Sequence, residues 1–293
     1  MTNLPPDAPH RQDQMTAARL RKTLSQVLVY AVLIALLLFA VIPLVLAWFT
    51  AFKTSQEILH NPYGPPIPPH LDNLINAWTQ GRFSIYFNNS FIISFADVIL
   101  MLVVAPLAGY AFGRMRFPGQ RVLLGVFLIG LTIPVGAIII PLYLVMRDFR
   151  LINTHGAVIL ADVALAAPIF IFIMRAAFKD LPGELEDAAR IDGATEFRIF
   201  WHVMLPLVKP AILTVALLEF LWSWNDLLLP LVFLTSDALR TMPVGMLFYR
   251  GRFSVDYGLM SAGVLIISLP VIIMFLIFQR SFVKGLTGGA LKG

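Results

Sequence analysis

Four carboxylates fall inside long apolar stretches of this 293-residue chain: Asp97, Asp162, Glu219 and Asp226. A carboxylate costs about 2.5–3.5 kcal/mol at mid-membrane on insertion scales, so one kept there is a functional candidate. Protons could ride on Asp97, Asp162 or Glu219, as in an ion-coupled transporter. A pair of aspartates could cleave peptide bonds, but neither Asp97 nor Asp162 has the Tyr-Asp or Gly-x-Gly-Asp context of intramembrane proteases. Carboxylates beside indole rings also suit sugars, which need hydrogen-bond acceptors and flat apolar faces. Trp222, Trp224 and Asn225 adjoin Asp226 in that way. The competing use is internal, with the acids paired to backbone or to a partner subunit's polar groups.

A second charged cluster lies between apolar segments. "GELEDAARIDGATEF", residues 183–197, gathers Glu184, Glu186, Asp187, Arg190, Asp192 and Glu196 in a chain that is only 13% charged. It reads as two short helices. Pro182 suits a helix start, and Glu184 and Glu186 suit its positive end. Gly193 permits a chain reversal, after which Thr195 can cap the second helix with Glu196 in its first turn. Phe197, Phe200, Trp201 and Met204 then form an apolar stripe. Helices lying on lipid headgroups favour Lys and Arg, whereas this stretch is net acidic, so a protein partner fits it better.

Other chemistries lack their residues. There is no cysteine, hence no disulfide, thiolate metal site, iron–sulfur cluster or thiol nucleophile. His10, His60, His70, His155 and His202 lie outside the apolar runs without metal-ligand spacing. No G-x-x-x-x-G-K-[ST] phosphate loop occurs, and the terminal "GLTGGALKG" has the wrong spacing, so the chain does not hydrolyse ATP by itself. No apolar run holds a histidine base for a serine, and Ser261 in "GLMSAG" reads as a helix-packing residue. A membrane enzyme ranks third, behind an ion-coupled transporter.

The elements that must position these residues are membrane helices. The chain is 58% hydrophobic with mean hydropathy +0.81, against about 45–50% apolar in soluble domains. Six stretches reach the span length of a bilayer, at 27–49, 90–113, 122–146, 157–178, 207–234 and 259–281. Pro43, Pro106, Pro134, Pro168 and Pro270 within them predict kinks. Fifteen Lys and Arg fall on the side of both termini and seven on the other, which makes both termini cytoplasmic. The net charge of +5 follows from that bias and calls for no nucleic acid. Residues 1–26 read as a disordered cytoplasmic tail, 27–281 as the membrane domain with a cytoplasmic loop at 179–206, and 282–293 as a cytoplasmic tail. Asp97, Asp162 and Asp226 fall in the outer third of their spans and Glu219 near the middle, so they could line an outer vestibule. In the outer loop 50–89, Leu71, Leu74, Ile75 and Trp78 share one face of a predicted interfacial helix, either a simple cap or a dock for an external partner.

Here a resemblance becomes specific. Asp187-Ala188-Ala189-x-x-x-Gly193 followed by Val203-Met204-Leu205-Pro206 resembles the EAA motif of ABC importer permeases, with Asp for Glu at 187 and Val for Ile at 203. "NNSFIIS", "AGYAFGRMRFPGQR", "IPLYLVMRDFRLINTHGAVIL", "WSWNDLLLPLVFL" and "SFVKGLTGGALKG" are similar to the second permease of maltose-type carbohydrate importers. The similarity runs from the first span to the C-terminus and leaves residues 1–26 uncovered.

The resemblance implies an all-α type I ABC importer permease fold with six transmembrane helices in a bacterial or archaeal cytoplasmic membrane. It implies that Glu186, Asp187, Ala188, Ala189, Asp192, Gly193, Leu205 and Pro206 couple to a separate ATPase. With the membrane carboxylates read above, Asp97, Asp162, Glu219, Trp224, Asn225 and Asp226 are the candidates for the translocation path. The implied partners are a second, homologous permease in a heterodimer, two cytoplasmic ATPases that use ATP and Mg, and an extracytoplasmic sugar-binding protein. No cofactor is implied on this chain.

Overall fold

The computed structural model describes the backbone of residues 8–248 and 256–290 and the side chains of 22–247 and 256–279. Arg250 and Arg252, and the side chains of Arg11, Arg19, Arg21, Arg280, Lys284 and Lys292, lie outside that description, though they entered the orientation reading. All described regular structure is helical.

Helix α1 spans Ala8–Ala51, so helix reaches back into the stretch read as a tail. The outer loop holds α2 (Ser55–His60) and α3 (Asp72–Thr79). In α3 Leu74 packs inward while Leu71, Ile75 and Trp78 stay exposed. Helix α4 (Phe83–Arg114) is a long span that continues through Pro106. The next predicted span is broken into α5 (Gln120–Thr132) and α6 (Val135–Asp148), bent by 110°. The cause is local: Pro134 lacks an N–H and forces Ile133 out of the helical region, to φ −86° and ψ 118°.

Helix α7 (His155–Lys179) is the next straight span. The cytoplasmic loop contains α8 (Glu184–Ile191), α9 (Glu196–Ile199), a π-helical turn at Phe200–Met204, and α10 (Leu205–Leu207). After a 76° bend comes α11 (Lys209–Asn225). The predicted fifth span stops at Asp226, whose extended backbone separates α11 from α12 (Leu228–Phe233). Helix α13 (Met242–Phe248) and the last span, α14 (Tyr257–Ala290), complete the chain; α14 carries helix into the stretch read as a C-terminal tail. Among the described residues four helices are long and apolar enough to cross a bilayer alone, and counting each of the two bent pairs as one span gives six.

Helix α4 is the spine. It packs along α7 because Gly109 and Gly113, one helical turn apart, let the backbones meet. A Cβ on Gly109 would stand 2.5 Å from Met174 Cβ and 2.9 Å from Arg175 N; one on Gly113 would stand 3.1 Å from Arg175 O. Such small-residue spacing is a common way for membrane helices to approach closely. On the cytoplasmic half, Tyr110, Phe170, Met174, Phe178 and Phe200 form one buried cluster that joins α4 and α7 to the loop. On the outer side Asp237 accepts from Arg82, from Tyr86 Oη at 2.8 Å and from Arg240 Nη1 at 2.7 Å, fixing the loop after α12 to the start of α4.

Candidate functional site

The loop between α7 and α11 is a knob held from beneath. Helix α8 has two faces. Glu186 and Ala189 turn toward the membrane helices, whereas Leu185, Asp187, Ala188 and Ile191 face outward. Glu186 is buried, and its carboxylate accepts from Tyr110 Oη at 3.0 Å and from Arg114 Nε at 3.1 Å, both on α4. Arg114 also donates to the carbonyls of Leu181 and Pro182, at 3.0 and 3.3 Å, so one guanidinium holds the entry to α8 as well as its first turn. A charge-assisted, two-pronged link of this kind fixes orientation more firmly than an exposed ion pair. Glu186 and Asp187, adjacent in sequence, therefore have separate places, and only Asp187 is presented outward.

Gly193 has φ 79°, a left-handed conformation that costs a side-chain-bearing residue about 1–2 kcal/mol. Nothing lies within 4 Å of where its Cβ would stand, so the requirement is conformational and not one of space. Its N–H donates to Arg190 O at 3.0 Å, and Ala194 N–H to Ala189 O at 3.0 Å, closing α8. Thr195 then caps α9 through Arg198 N–H. Arg190 bridges the two helices, donating to Asp187 Oδ1 at 3.1 Å and to Glu196 Oε1 at 2.9 Å. That hydrogen bond holds the Glu196 carboxyl below the usual range, and the acids hold the Arg190 guanidinium above its own. Asp192 is exposed beside this bridge.

The predicted apolar stripe splits. Phe200 and Met204 are buried, whereas Phe197 is 71% exposed and Trp201 45%. The π-helical turn adds a residue to the helical period, which separates positions that ideal α spacing would align. Leu205 packs against the cytoplasmic cluster, and Pro206 opens α10 at the bend into α11. These two thus shape the turn beneath the knob and are not on its outward tip.

The membrane carboxylates sit where α4, α7 and α11 meet. Asp97, Asp162 and Glu219 are each at most 2% exposed, so within this chain they line no water-filled vestibule. They lie within electrostatic reach of one another. Ser223 Oγ donates to Asp97 Oδ2 and lies 3.2 Å from Ser94 Oγ. Asp97 Oδ1, Asp162 Oδ2 and both Glu219 oxygens have no hydrogen-bond partner among the described residues. Asp226 is engaged differently: its oxygens accept from Leu228 and Leu229 N–H, at 3.0 and 3.3 Å, and start α12. Asn225 Nδ2 donates to Leu221 O, and Trp224 is fully buried with Nε1 donating to Ile267 O at 3.0 Å. The ring of Trp224 stacks on Phe220 and meets Phe87 edge-on, so it is a packing element and offers no open face. No grouping of acids or histidines suited to a metal ion occurs among the described residues.

The residues that hold the knob, Tyr110 and Arg114, escaped sequence reading. Both stand in "AGYAFGRMRFPGQR", but only the register of α4 against α8 shows that they face Glu186.

A family model described as the binding-protein-dependent transport system inner membrane component matches residues 103–287. The chain belongs to this permease family of carbohydrate ABC uptake systems. The matched residues include α7, the knob and α11. The chain is 34% identical to the diacetylchitobiose uptake system permease protein NgcG of Streptomyces coelicolor, over 90% of this chain and 88% of that one. It is 39% identical to the arabinooligosaccharides transport system permease protein AraQ of Halalkalibacterium halodurans, over 87% and 92%. It is 34% identical to the trehalose transport system permease protein SugB of Mycobacterium tuberculosis, over 87% and 93%. A solved bacterial ABC transporter that imports the acidic polysaccharide alginate has the same fold, with TM-score 0.79 and 23% identity over 89% of this chain and 98% of that one. This permease is accordingly a multi-pass inner-membrane transport component and not an enzyme.

Proposed function

We propose that this permease imports a mono- or oligosaccharide by alternating access, driven by a separate ATPase that docks on the knob at 184–207. The observation that carries this reading is the outward face of the loop. Ile191 is 86% exposed and Phe197 71%, with Asp187 and Ala188 beside them, on a loop that is rigidly braced from below. Large apolar side chains on a water-facing, acidic surface fit a protein cleft better than lipid headgroups.

In this account two permeases pair, this chain with a homologous but different one, and each receives one ATPase. Closure of the ATPase dimer on ATP and Mg pushes the two knobs together. The Glu186–Arg114 link passes the displacement to α4, and the bend at Val208 passes it to α11. An extracytoplasmic sugar-binding protein delivers the substrate to the outer face. Asp97, Asp162 and Glu219 lie among the three helices that would reorient, and so flank the path without lining it in this conformation.

Replacing Gly193 by Asp tests the reading. It adds a charge and a left-handed side chain at the knob while touching nothing inside the protein. Sugar uptake by cells should be lost while the chain still inserts in the membrane; normal uptake together with normal ATPase co-purification would sink the proposal.

A further inference from the structure

Beneath the knob, at the cytoplasmic mouth of α4 and α7, lies a cavity of about 360 Å³ lined by Arg114, Arg116, Arg175, Lys179, Glu186 and Asp187. Each of its two acids already has a cationic partner, the one on Asp187 being shared with Glu196. Glu186 is taken by Arg114 and Tyr110, and Asp187 by Arg190. Arg114 in turn has a partner at each of its three guanidinium nitrogens, among Glu186, Leu181 O and Pro182 O. Three cations remain. Arg175 uses Nε on Phe112 O at 3.2 Å, and among the described residues Arg175, Arg116 and Lys179 have no carboxylate within ion-pair distance. A basic residue near the C-terminus of a helix is explained by the helix dipole, but three converging on one concavity, Arg175 and Lys179 from α7 and Arg116 from the 115–119 loop, are not.

We propose that this cavity binds a phosphate-bearing anion, supplied in the membrane by the headgroup of an anionic phospholipid of the cytoplasmic leaflet. The position fits that source. Arg114 and Lys179 end their helices and Arg175 lies one turn deeper, at the level where spans leave the hydrocarbon. Basic pockets between membrane helices on the cytoplasmic side recognise anionic headgroups in this way. Phe112 and Met115 give the cavity an apolar edge for the glycerol and upper acyl chain. A phosphate held there would tie α4 and α7 to the entry of α8, so its occupancy bears on the rigidity of the knob. The site does not depend on which sugar is carried, and it shares Asp187 with the face on which the ATPase is proposed to dock.

The test uses the full chain, purified with the subunits that accompany it, in nanodiscs of phosphatidylcholine with or without phosphatidylglycerol. The parent chain, the double variant Arg175→Gln/Lys179→Gln, the charge-preserving Arg175→Lys/Lys179→Arg, and Lys209→Gln as a cation outside the cavity are compared. Native mass spectrometry counts retained phosphatidylglycerol, and a parallel arm titrates inorganic phosphate into the phosphatidylcholine discs. Lipid retention should fall roughly 10- to 30-fold in the Gln/Gln variant and hold in the other two. Equal retention in the parent and the Gln/Gln variant, in both arms, overturns the site. A variant-sensitive response to inorganic phosphate alone keeps the phosphate site and replaces its source with a soluble anion. Loss of ATPase co-purification with phosphate and lipid binding unchanged overturns it in favour of a protein contact. Size-exclusion profiles matching the parent establish that each variant is folded.

Discussion

At the residue scale the weight of the knob rests on Glu186. The side chains of Glu186 and its partner Arg114 are 8% and 12% exposed, and removing one leaves the other charge buried without compensation. Breaking a buried pair costs about 3–5 kcal/mol, so Glu186→Ala should lower the thermal midpoint and open the 182–195 segment to trypsin. Asp187→Ala should leave stability within about 0.5 kcal/mol, as exposed pairs contribute little, and reduce uptake instead. Arg190 gives the same loop a pH dependence. The carboxyl of Glu196 is lowered in the folded state, so its link to Arg190 is fully present above the ordinary value of 4.5 and is lost as pH falls through the lowered one. Protease resistance of the loop should therefore be level from neutral pH to about 4.5 and decline below it; Glu196→Gln should remove that decline. Much of this scale was legible in the sequence. Gly193 and Thr195 act through their own backbones, which local rules describe. The different fates of Glu186 and Asp187 were not legible, because they depend on where α4 stands.

At the element scale, the α4–α7 contact transmits whatever the knob receives. A Cβ at Gly109 would press into Met174 Cβ and the backbone of Arg175, where nothing flexible can yield. Gly109→Ala should destabilise by about 1–3 kcal/mol, read as a lower thermal midpoint in detergent. Gly113→Ala, facing a carbonyl at 3.1 Å, should cost less. Apolar length signals membrane helices, since about 20 apolar residues in a row leave little choice of structure. Their interruptions were harder to read. Pro43, Pro106, Pro168 and Pro270 sit inside continuous helices, whereas Pro134 and Asp226 mark breaks. At Pro134 the break is local, since Ile133 before it has left the helical region at φ −86° and ψ 118°, whereas the helix runs on through the other four prolines. Burial of Trp224 was equally hidden, because an indole beside an aspartate has one composition whether it faces a vestibule or the α14 backbone.

At the scale of the whole molecule, an apolar protein without a phosphate loop presents a rigid, acidic and apolar knob between α7 and α11. Uptake should persist when a protonophore collapses the proton gradient while ATP is maintained, since the buried acids are not asked to carry protons in this account. Collapse of uptake with ATP still present would move Asp97, Asp162 and Glu219 to the centre of the mechanism.

The docking claim is open to a direct chemical measurement because the chain has no cysteine. Ala188→Cys places its sole thiol on the outward face of α8, and Arg150→Cys places one in the α6–α7 connection, at the other end of α7 from the knob. With a short thiol-to-lysine crosslinker in native membranes, the thiol at 188 should capture the ATP-hydrolysing subunit, with a yield that changes when ATP is bound, and the thiol at 150 should not. No capture at 188, in a chain that still supports ATP-dependent sugar uptake, would contradict the account.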